Sequence, residues 1–488
     1  MECPTGTVFD NKIYPTLRNV GPSLDELTLN YMDVQRLSFR RVLKYCPNIS
    51  RLMYNGYNFS SASTEGRDSN SNKNDHGDDD YNSNNTINTK AGHRLTHIFL
   101  HIDNQGADPY DVRCLLQQTQ QLEQLFISYC HPEIFDIIFD CCPDLPYLNY
   151  NMSVTATENE VRMTFYDDKD GCFKKQRGMQ VLKLANYQHP MTAAQIKKWM
   201  IYNSTTLKSF DFSTSLVEEI PDLITLFTPL SASLPTTNNM LRQFHWDAPI
   251  SLESEALPLV IQNCPQLEDI KLSTINLAYL QLILSELHHL QKLHLVGCQD
   301  MKEQDWIDFF VWWKKHSMIT NDKNGSTTSH RNNDNNKSSN EKKTLVLEEC
   351  ESLTNEGIYR LADIIPYLRT LSLNNINDNL TESGILHFFH KAKKNGLECI
   401  QLMMMDCVTD HVLEENIEFF CAELKKISLI GLDHVTMQSI RKLIHHTTCL
   451  CHLYIIECGD IFGTNEEELK KIGSTKGINF CTTRSLPL

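Results

Sequence analysis

The chain has 488 residues, of which 41% are hydrophobic and 22% are charged, and its formal net charge is −16. This is the composition of a globular protein with enough apolar side chains for a large core. The acidic balance argues against nucleic acid and against an anionic membrane surface as the main ligand, because binding to either needs a surplus of Lys and Arg.

The N-terminal sequence has no basic segment followed by an apolar run, so we predict no secretory signal. Without export, the 17 cysteines are expected to be reduced thiols and not a disulfide framework. Together these features predict a protein of the cytoplasm, the nucleus or both.

The phrase Leu-x-x-Leu-x-Leu, in which x is any residue, recurs from Leu24 onwards. When other apolar residues are allowed at its three anchor positions, the first anchor falls at residues 24, 49, 95, 122, 145, 179, 207, 241, 267, 290, 342, 368, 397, 424 and 450. Lys342 is the one polar residue among these 45 anchor positions. Most successive units begin 23 to 29 residues apart, which is the spacing of leucine-rich repeats.

Each unit is predicted to form a strand, a turn and a helix. Thr436 can cap a helix that includes Ile440 and Leu443, and Thr354 can cap another, which Pro366 is expected to stop. One unit cannot bury its apolar face alone, so stacked units share a continuous core. The sequence therefore predicts an α/β leucine-rich-repeat solenoid of about 15 repeats. We expect a horseshoe with a parallel sheet on its concave face and helices on its convex face.

Two long intervals contain insertions, at about residues 60–92 and 317–342, that are rich in Asn, Ser and Asp. With so few apolar residues they cannot offset the entropy of ordering, so both are predicted to be disordered loops. Another long interval adds residues 154–178, which resemble a small hairpin around Asp168–Gly171.

The ends of the repeat array divide the chain into three predicted parts. Residues 1–23 are an N-terminal cap or the remnant of a preceding repeat, residues 24–458 are the solenoid, and residues 459–488 are a C-terminal cap. In the last part Thr464–Glu467 reads as a capping box and Gly477–Thr482 as a final short strand.

Cysteines fall on two positions of the repeat. Eight residues after a first anchor stand Cys130, Cys298, Cys350 and Cys458. Three residues before a first anchor stand Cys46, Cys142, Cys264 and Cys421. At these points cysteine is expected to act as a small apolar filler at the end of the strand and at the end of the helix.

The segments LEQLFISYC, LQKLHLVGC and TLVLEEC, with CPN, CPD and CPQ before the next Leu or Ile, resemble the cysteine-containing leucine-rich repeat. That repeat is similar to the substrate-binding half of F-box/leucine-rich-repeat proteins, and the resemblance covers residues 24 to about 458. It implies a protein-binding role as the substrate-recognition arm of an SCF-type (cullin) ubiquitin ligase, in ubiquitin-dependent protein degradation. A cullin-ligase adaptor would be a partner if an F-box lies upstream.

The chain departs from this family at its start. In the family an F-box precedes the repeats, whereas here 23 residues precede the first anchor. The segment Pro132–Leu145 reads somewhat like the start of an F-box, but Cys142 and Leu145 share the register of the neighbouring repeats, so a repeat helix explains it better. The alternative that stays open is an F-box-independent regulator that sequesters a protein partner, such as a cell-cycle antagonist.

Enzymatic chemistry is not predicted. Phosphate-loop, dinucleotide-binding, zinc-protease and nucleophile-elbow motifs are missing from the sequence, so we expect no catalytic residues and no cofactor. His445, His446, Cys449, Cys451 and His452 carry metal-binding residue types, but they are divided between a helix end and a strand. We therefore predict no metal site there.

One helix is unusually aromatic. Core packing accounts for Trp306, Phe309, Phe310 and Trp313, whereas Trp312 is expected to be left exposed beside the second insertion.

The residues between the anchors should face away from the core, because side chains alternate along a strand. Strands spaced about 4.8 Å apart would make a face on the order of 70 Å long, which suits a folded protein or a long peptide. We therefore expect a monomer that works within a complex, and no binding of nucleic acid or membrane. The candidate partner-binding residues are Phe126, Tyr147, Lys183, Asp211, Arg242, His245, Lys271, His294, Arg369, Lys425, His452 and Tyr454.

Overall fold

The computed structural model describes residues 13–32, 39–56, 94–102, 109–128, 132–151, 178–186, 192–214, 240–248, 256–325, 342–376, 379–392, 396–458 and 464–483. The chain forms two compact units, Met1–Asp222 and Leu223–Leu488, which are described one at a time. No helix in the described ranges has the length and apolar character needed to cross a bilayer.

The first unit alternates strands with helices. Its helices are α1 (Ile13–Val20), α2 (Phe39–Tyr45), α3 (Pro109–Leu116), α4 (Pro132–Cys141) and α5 (Ala193–Tyr202). Its strands are β1 (Glu26–Met32), β2 (Arg51–Gly56), β3 (His97–Ile102), β4 (Gln124–Ser128), β5 (Tyr147–Asn151), β6 (Val181–Asn186) and β7 (Ser209–Thr214). These strands pair in sequence order, and every pair is parallel.

The second unit has the same plan. Its helices are α6 (Ala256–Asn263), α7 (Leu277–Glu286), α8 (Glu303–Gly325), α9 (Asn355–Leu361), α10 (Glu382–Lys391), α11 (Asp410–Glu415), α12 (Ile417–Ala422), α13 (Met437–His446) and α14 (Thr464–Thr475). Its strands are β8 (Gln243–Asp247), β9 (Asp269–Ser273), β10 (Lys292–Val296), β11 (Lys343–Glu348), β12 (Leu368–Asn374), β13 (Cys399–Met403), β14 (Lys426–Ile430), β15 (His452–Ile456) and β16 (Asn479–Thr483). Neighbouring strands are again parallel and in sequence order.

The repeat anchors form the core of each unit. All of the anchor positions are buried except Leu24, which is half-buried, and Lys342, which is exposed. Burying one Leu, Ile or Phe side chain contributes roughly 1.5–3 kcal/mol, so the stacked anchors are the main source of stability. Each unit is therefore an α/β leucine-rich-repeat solenoid, as the sequence predicts.

Several helices begin at the caps that the repeat supplies. The Thr436 hydroxyl accepts a hydrogen bond from the Gln438 N–H and Thr192 forms a full capping box with Gln195, whereas the Thr354 side chain makes no cap bond. Pro366 does not simply stop the helix after Thr354. The α-helix ends at Leu361, and a tighter 3₁₀ segment continues through Pro366, whose missing N–H would break α-helical bonding.

The second unit carries a recurring left-handed residue directly after its strands. Positive φ angles occur at Thr274, Gly297, Glu349, Asn375, Met404, Gly431 and Glu457, each seven residues after a first anchor. The N–H groups of Glu349, Asn375 and Met404 donate to carbonyls at the end of the next strand, over 2.9 to 3.0 Å. These bonds offset the strain that a side chain brings to this backbone conformation.

The cysteine positions match their predicted role as fillers. Cys46, Cys142, Cys264, Cys298, Cys350 and Cys458 are buried. Burial raises the pKa of Cys46 to about 11 and that of Cys142 to about 12. Nothing is described for the side chains of Cys130 and Cys421.

The predicted insertions fare differently. Residues 60–92 and the hairpin proposed around Asp168–Gly171 lie outside the described residues. The second insertion is predicted to begin at 317, but helix α8 continues to Gly325. The segment from Ser317 has no Pro, and its first Gly is Gly325, so nothing in its backbone chemistry ends the helix earlier.

Candidate partner-binding face

Where the side chains are described, the strands present up to three of them on the side opposite the buried anchors. They are the residues two, four and six positions after the first anchor, and together they form what we call the open face of each unit. The strands pair without a shift at these positions, so the open-face residues line up in rows across the strands. In the second unit, for example, His245, Lys271 and His294 stand side by side in the central row.

The structure places nine of the predicted partner-binding residues on the open face. Those in the central row are Phe126, Lys183, Asp211, His245, Lys271, His294 and Tyr454, and those in the first row are Tyr147 and His452.

Arg242, Arg369 and Lys425 do not lie on the open face. Each comes one residue after a first anchor, before the inward and outward alternation of side chains begins. Its backbone carbonyl accepts a hydrogen bond from an N–H group at the start of the strand in the next repeat. The Arg242 carbonyl, for example, accepts from the N–H groups of Glu268 and Asp269 at 2.7 and 3.0 Å. These three side chains therefore mark the amino edge of the sheet.

In the first unit, the Phe126 side chain is covered by its neighbours on the open face. Its ring stacks on Phe99 with the centroids 4.4 Å apart, and Met53 packs against the pair. Phe126 is only 6% exposed, so little of its ring is accessible to a partner. The register brings large apolar side chains into one row, and they bury each other.

Tyr147, Lys183 and Asp211 lie close together further along the same face. Burial raises the pKa of the Tyr147 hydroxyl, and the nearby Lys183 charge opposes that rise. Lys183 and Asp211 are direct partners on neighbouring strands, so opposite charges face each other in the central row.

The first strands of the second unit carry charges that neutralise one another. Asp269 Oδ1 lies 3.3 Å from His245 Nε2, and its Oδ2 lies 3.3 Å from Lys292 Nζ. Burial alone would raise the pKa of Asp269, but His245 and Lys292 hold it below its ordinary value. Lys271 Nζ forms a further pair with Asp247, at 3.0 Å.

His294 and Glu348 form a second close pair. Their Nε2 and Oε2 atoms are 2.8 Å apart, and Asn374 Nδ2 donates to the other Glu348 oxygen at 2.8 Å. The His294 hydrogen bond lowers the pKa of Glu348 below its ordinary value. Sequence reasoning missed Asp269 and Glu348, although both stand at open-face positions that alternation defines.

The last strands of the second unit have a different surface. Lys426 Nζ lies 4.8 Å from the centroid of the Tyr454 ring, and the His452 ring stacks at 6.4 Å from that of Tyr454. At the amino edge, Glu398 lies 3.1 Å from Lys425 and 3.7 Å from Arg369. The sequence prediction named the neighbours of Lys426 but missed Lys426 itself.

An apolar strip runs along the carboxyl end of these strands. It consists of Met403, Met404, Ile430 and Ile456, and Met404 is half exposed. Sequence reasoning missed these residues because they lie beyond the last anchor of each repeat. The sequence feature that could have revealed them is an apolar residue at the strand end, where other repeats carry polar residues such as Glu348 or Asn374.

Metal-binding geometry is not found in the described part of the chain, where no three His, Cys, Asp or Glu side chains come together in a suitable group. His446 Nδ1 instead lies 2.8 Å from the Lys442 carbonyl of its own helix.

The aromatic helix α8 packs as predicted. Trp306, Phe309, Phe310 and Trp313 are buried. Trp312 is partly exposed and stacks on the ring of His316, which is a local contact within α8.

No family model matches the chain, and no curated protein is significantly similar to it. Among solved structures, the chain is similar to the crystal structure of the Rad7 and Elc1 complex in yeast, with 16% sequence identity and a TM-score of 0.39. The similarity covers 71% of this chain and 78% of that chain. A likeness at this level assigns neither a family nor a function.

Proposed function

We propose that the chain is a protein-binding scaffold that holds another protein on the open face of its strands. The observation that supports this is the row arrangement of charged and aromatic side chains, such as Lys271, Lys426 and Tyr454, on a backbone fixed by buried anchors. Aromatic and basic residues held in place in this way are typical of the anchors of protein interfaces. The role requires no catalytic step, and we expect it in the cytoplasm or nucleus.

A finer proposal is that the bound protein is a substrate of a cullin-type ubiquitin ligase. Its support is the sequence resemblance of the cysteine-containing repeats to those of F-box/leucine-rich-repeat proteins. The other candidate, sequestration of a partner without ubiquitin transfer, uses the same open face. The two differ in the fate of the bound protein.

Site-specific photocross-linking tests the scaffold role. A photoreactive amino acid replaces Gln401 on the open face in one sample and exposed Gln438 on helix α13 in a matched control. We expect the Gln401 position to cross-link one specific protein, and we expect that protein to be missing from the cross-links of the Gln438 position. Cross-links that form only at the helix position would rule out the open face as the binding surface.

The identified protein then separates the two finer candidates. If it is a ligase substrate, a cullin and its adaptor co-purify with the chain, and the substrate accumulates when the chain is removed. If the chain sequesters its partner, the partner's amount stays constant while its activity rises.

A further inference from the structure

We infer that strands β12–β15 of the second unit bind an amphipathic helix of the partner protein, with acidic side chains along one flank and apolar side chains on its contact face. This inference rests on the proposed scaffold function and specifies which part of the open face, with its amino and carboxyl edges, is used. It is carried by two parallel features of these four strands, a basic strip and an apolar strip.

The basic strip consists of Arg369, Lys425, Lys426 and His452 at the amino side of the strands. Lys425 and Arg369 share the acidic side chain of Glu398, and a second acidic residue, exposed Glu423, precedes β14 at the same side. Lys426 is exposed and lies over Tyr454. This part of the surface is therefore locally positive on a chain whose net charge is −16, which selects for an acidic ligand.

The apolar strip lies at the other end of the same strands. Met404 is 50% exposed and Met403 is partly exposed, whereas Ile430 and Ile456 are buried, so the two Met side chains supply the accessible apolar surface of the strip. Flexible Met side chains adapt to the apolar face of a bound helix. Beyond this strip the turns carry exposed Asp406 and Asp433, so an acidic flank of the ligand would be repelled here and drawn to the basic strip.

The spacing of the two strips fits a helix laid across the strands. Lys426 and Ile430 are four residues apart on β14, which is about 13 Å of strand. A helix with its side chains is about 10–12 Å wide. Between the strips the central row has the short or flexible side chains of Ser372, Gln401 and Ser428 on β12–β14, which leave room for close approach, and the Tyr454 ring closes the row on β15.

Other parts of the open face are less suited to this ligand. On β8–β11 the basic side chains Lys271, Lys292 and His294 are already matched to Asp247, Asp269 and Glu348. In the first unit the aromatic pair Phe99 and Phe126 is buried. An acidic helix therefore gains most on β12–β15.

The test uses fluorescein-labelled synthetic helical peptides and the full chain, with binding followed by fluorescence anisotropy. The probe peptide is about 15 residues long, or roughly 22 Å of helix, with Leu on one face and Glu on one flank. One control peptide carries Lys in place of Glu, and another carries Ser in place of Leu. The chain variants are K425E/K426E, M403S/M404S and the matched control K315E/K471E, which reverses two exposed lysines on helices α8 and α14.

We expect the acidic peptide to bind at least tenfold more tightly than either control peptide and to gain helical circular dichroism on binding. K425E/K426E and M403S/M404S should each weaken binding at least fivefold, with melting curves like those of the unaltered chain, whereas K315E/K471E should not. The inference is overturned if the Lys peptide binds as well, if the strip variants bind normally, or if no peptide binds. Cross-linking at Gln401 would still support the scaffold role in each of those cases.

Discussion

The left-handed position after each strand of the second unit shows how one backbone conformation is kept by different residues. Gly297 has φ +55°, and Glu349, Asn375 and Met404 adopt similar angles. A residue with a side chain in this region costs roughly 1–2 kcal/mol. The hydrogen bonds to the next strand's end offset part of this cost at the non-glycine positions.

We expect Gly297→Ala to lower the free energy of unfolding by about 1 kcal/mol. A Cβ added at Gly297 would meet no atom within 4 Å, so backbone strain is the sole expected cause. Urea unfolding followed by circular dichroism measures the change. The control is Gln299→Ala, an exposed position without a positive φ, which should change stability by less than about 0.5 kcal/mol. Equal stability of the two variants would show that the strain is absent.

Single-residue placement is the part of the candidate site that sequence reasoning predicts least well. Alternation along the strand correctly assigns positions such as Lys271 and His452 to the open face. It cannot locate where alternation starts, so it selects Lys425 and misses the neighbouring Lys426. The burial of Phe126 depends on Phe99, which is near it only because of the register between strands.

At the level of elements, one carboxylate ties three helical segments of the second unit together. Asp363 in the 3₁₀ segment lies 3.2 Å from Lys314 Nζ on α8 and 2.9 Å from Lys391 Nζ on α10. Lys391 also lies 3.6 Å from the centroid of the Tyr359 ring on α9. Burial by itself raises the pKa of Asp363. The hydrogen bonds and charges of Lys391 and Lys314 lower it by more than burial raises it, so the pKa of Asp363 lies below its ordinary value.

We expect Asp363→Asn to destabilise the chain at neutral pH by about 1–2 kcal/mol, because hydrogen bonds to a charged group are lost. Since the folded pKa lies below the ordinary value of 3.8, this contribution is complete above that pH. It disappears as the pH falls through the folded pKa. Denaturant unfolding at several pH values should show the two proteins converging in acid.

The control for this prediction is Glu356→Gln, which removes an exposed pair with Arg360 on α9. Such pairs contribute about 0.3–0.5 kcal/mol, so its effect should be several times smaller. A difference between Asp363→Asn and the unaltered chain that stays constant from neutral to strongly acidic pH would contradict the assigned role of the charge.

The fold is more predictable than the site because the anchors obey one packing requirement in every unit. Leu371 and Leu373 are buried in the same layer as Ile400 and Leu402 of the next repeat. The spacing of the anchors within a repeat therefore recurs whatever residues lie between one repeat and the next. Helix ends obey no such rule. Helix α8 runs past the predicted boundary to Gly325, and the α-helix before Pro366 changes to a tighter one.

Across the whole molecule, cysteines serve as core atoms in both units. Cys46 and Cys142 are buried in the first unit, and Cys298, Cys350 and Cys458 in the second. Burial raises the thiol pKa values of Cys46, Cys142 and Cys458, which lowers their fraction of reactive thiolate. The exposed thiols in the described ranges are Cys449, Cys451 and Cys481.

We therefore expect two classes of thiol when the native chain is treated with a small alkylating reagent at about pH 8, near the ordinary thiol pKa. Cys449, Cys451 and Cys481 should be modified first, while Cys46 and Cys142 should react only after unfolding in urea. Peptide mass spectrometry measures modification at each position. Rapid labelling of Cys46 or Cys142 in the native chain would show that these helix ends open readily.

The separation of inward anchors from outward rows has a consequence for how such a chain can change. The side chain of Gln401 faces outward and takes no part in the backbone hydrogen bonds of the sheet or in the packing of the buried anchors. Its replacement alters what the surface recognises and leaves the interior as it was. If the chain is the scaffold proposed above, exchanging a few outward residues would redirect it to a different protein while its fold stays the same.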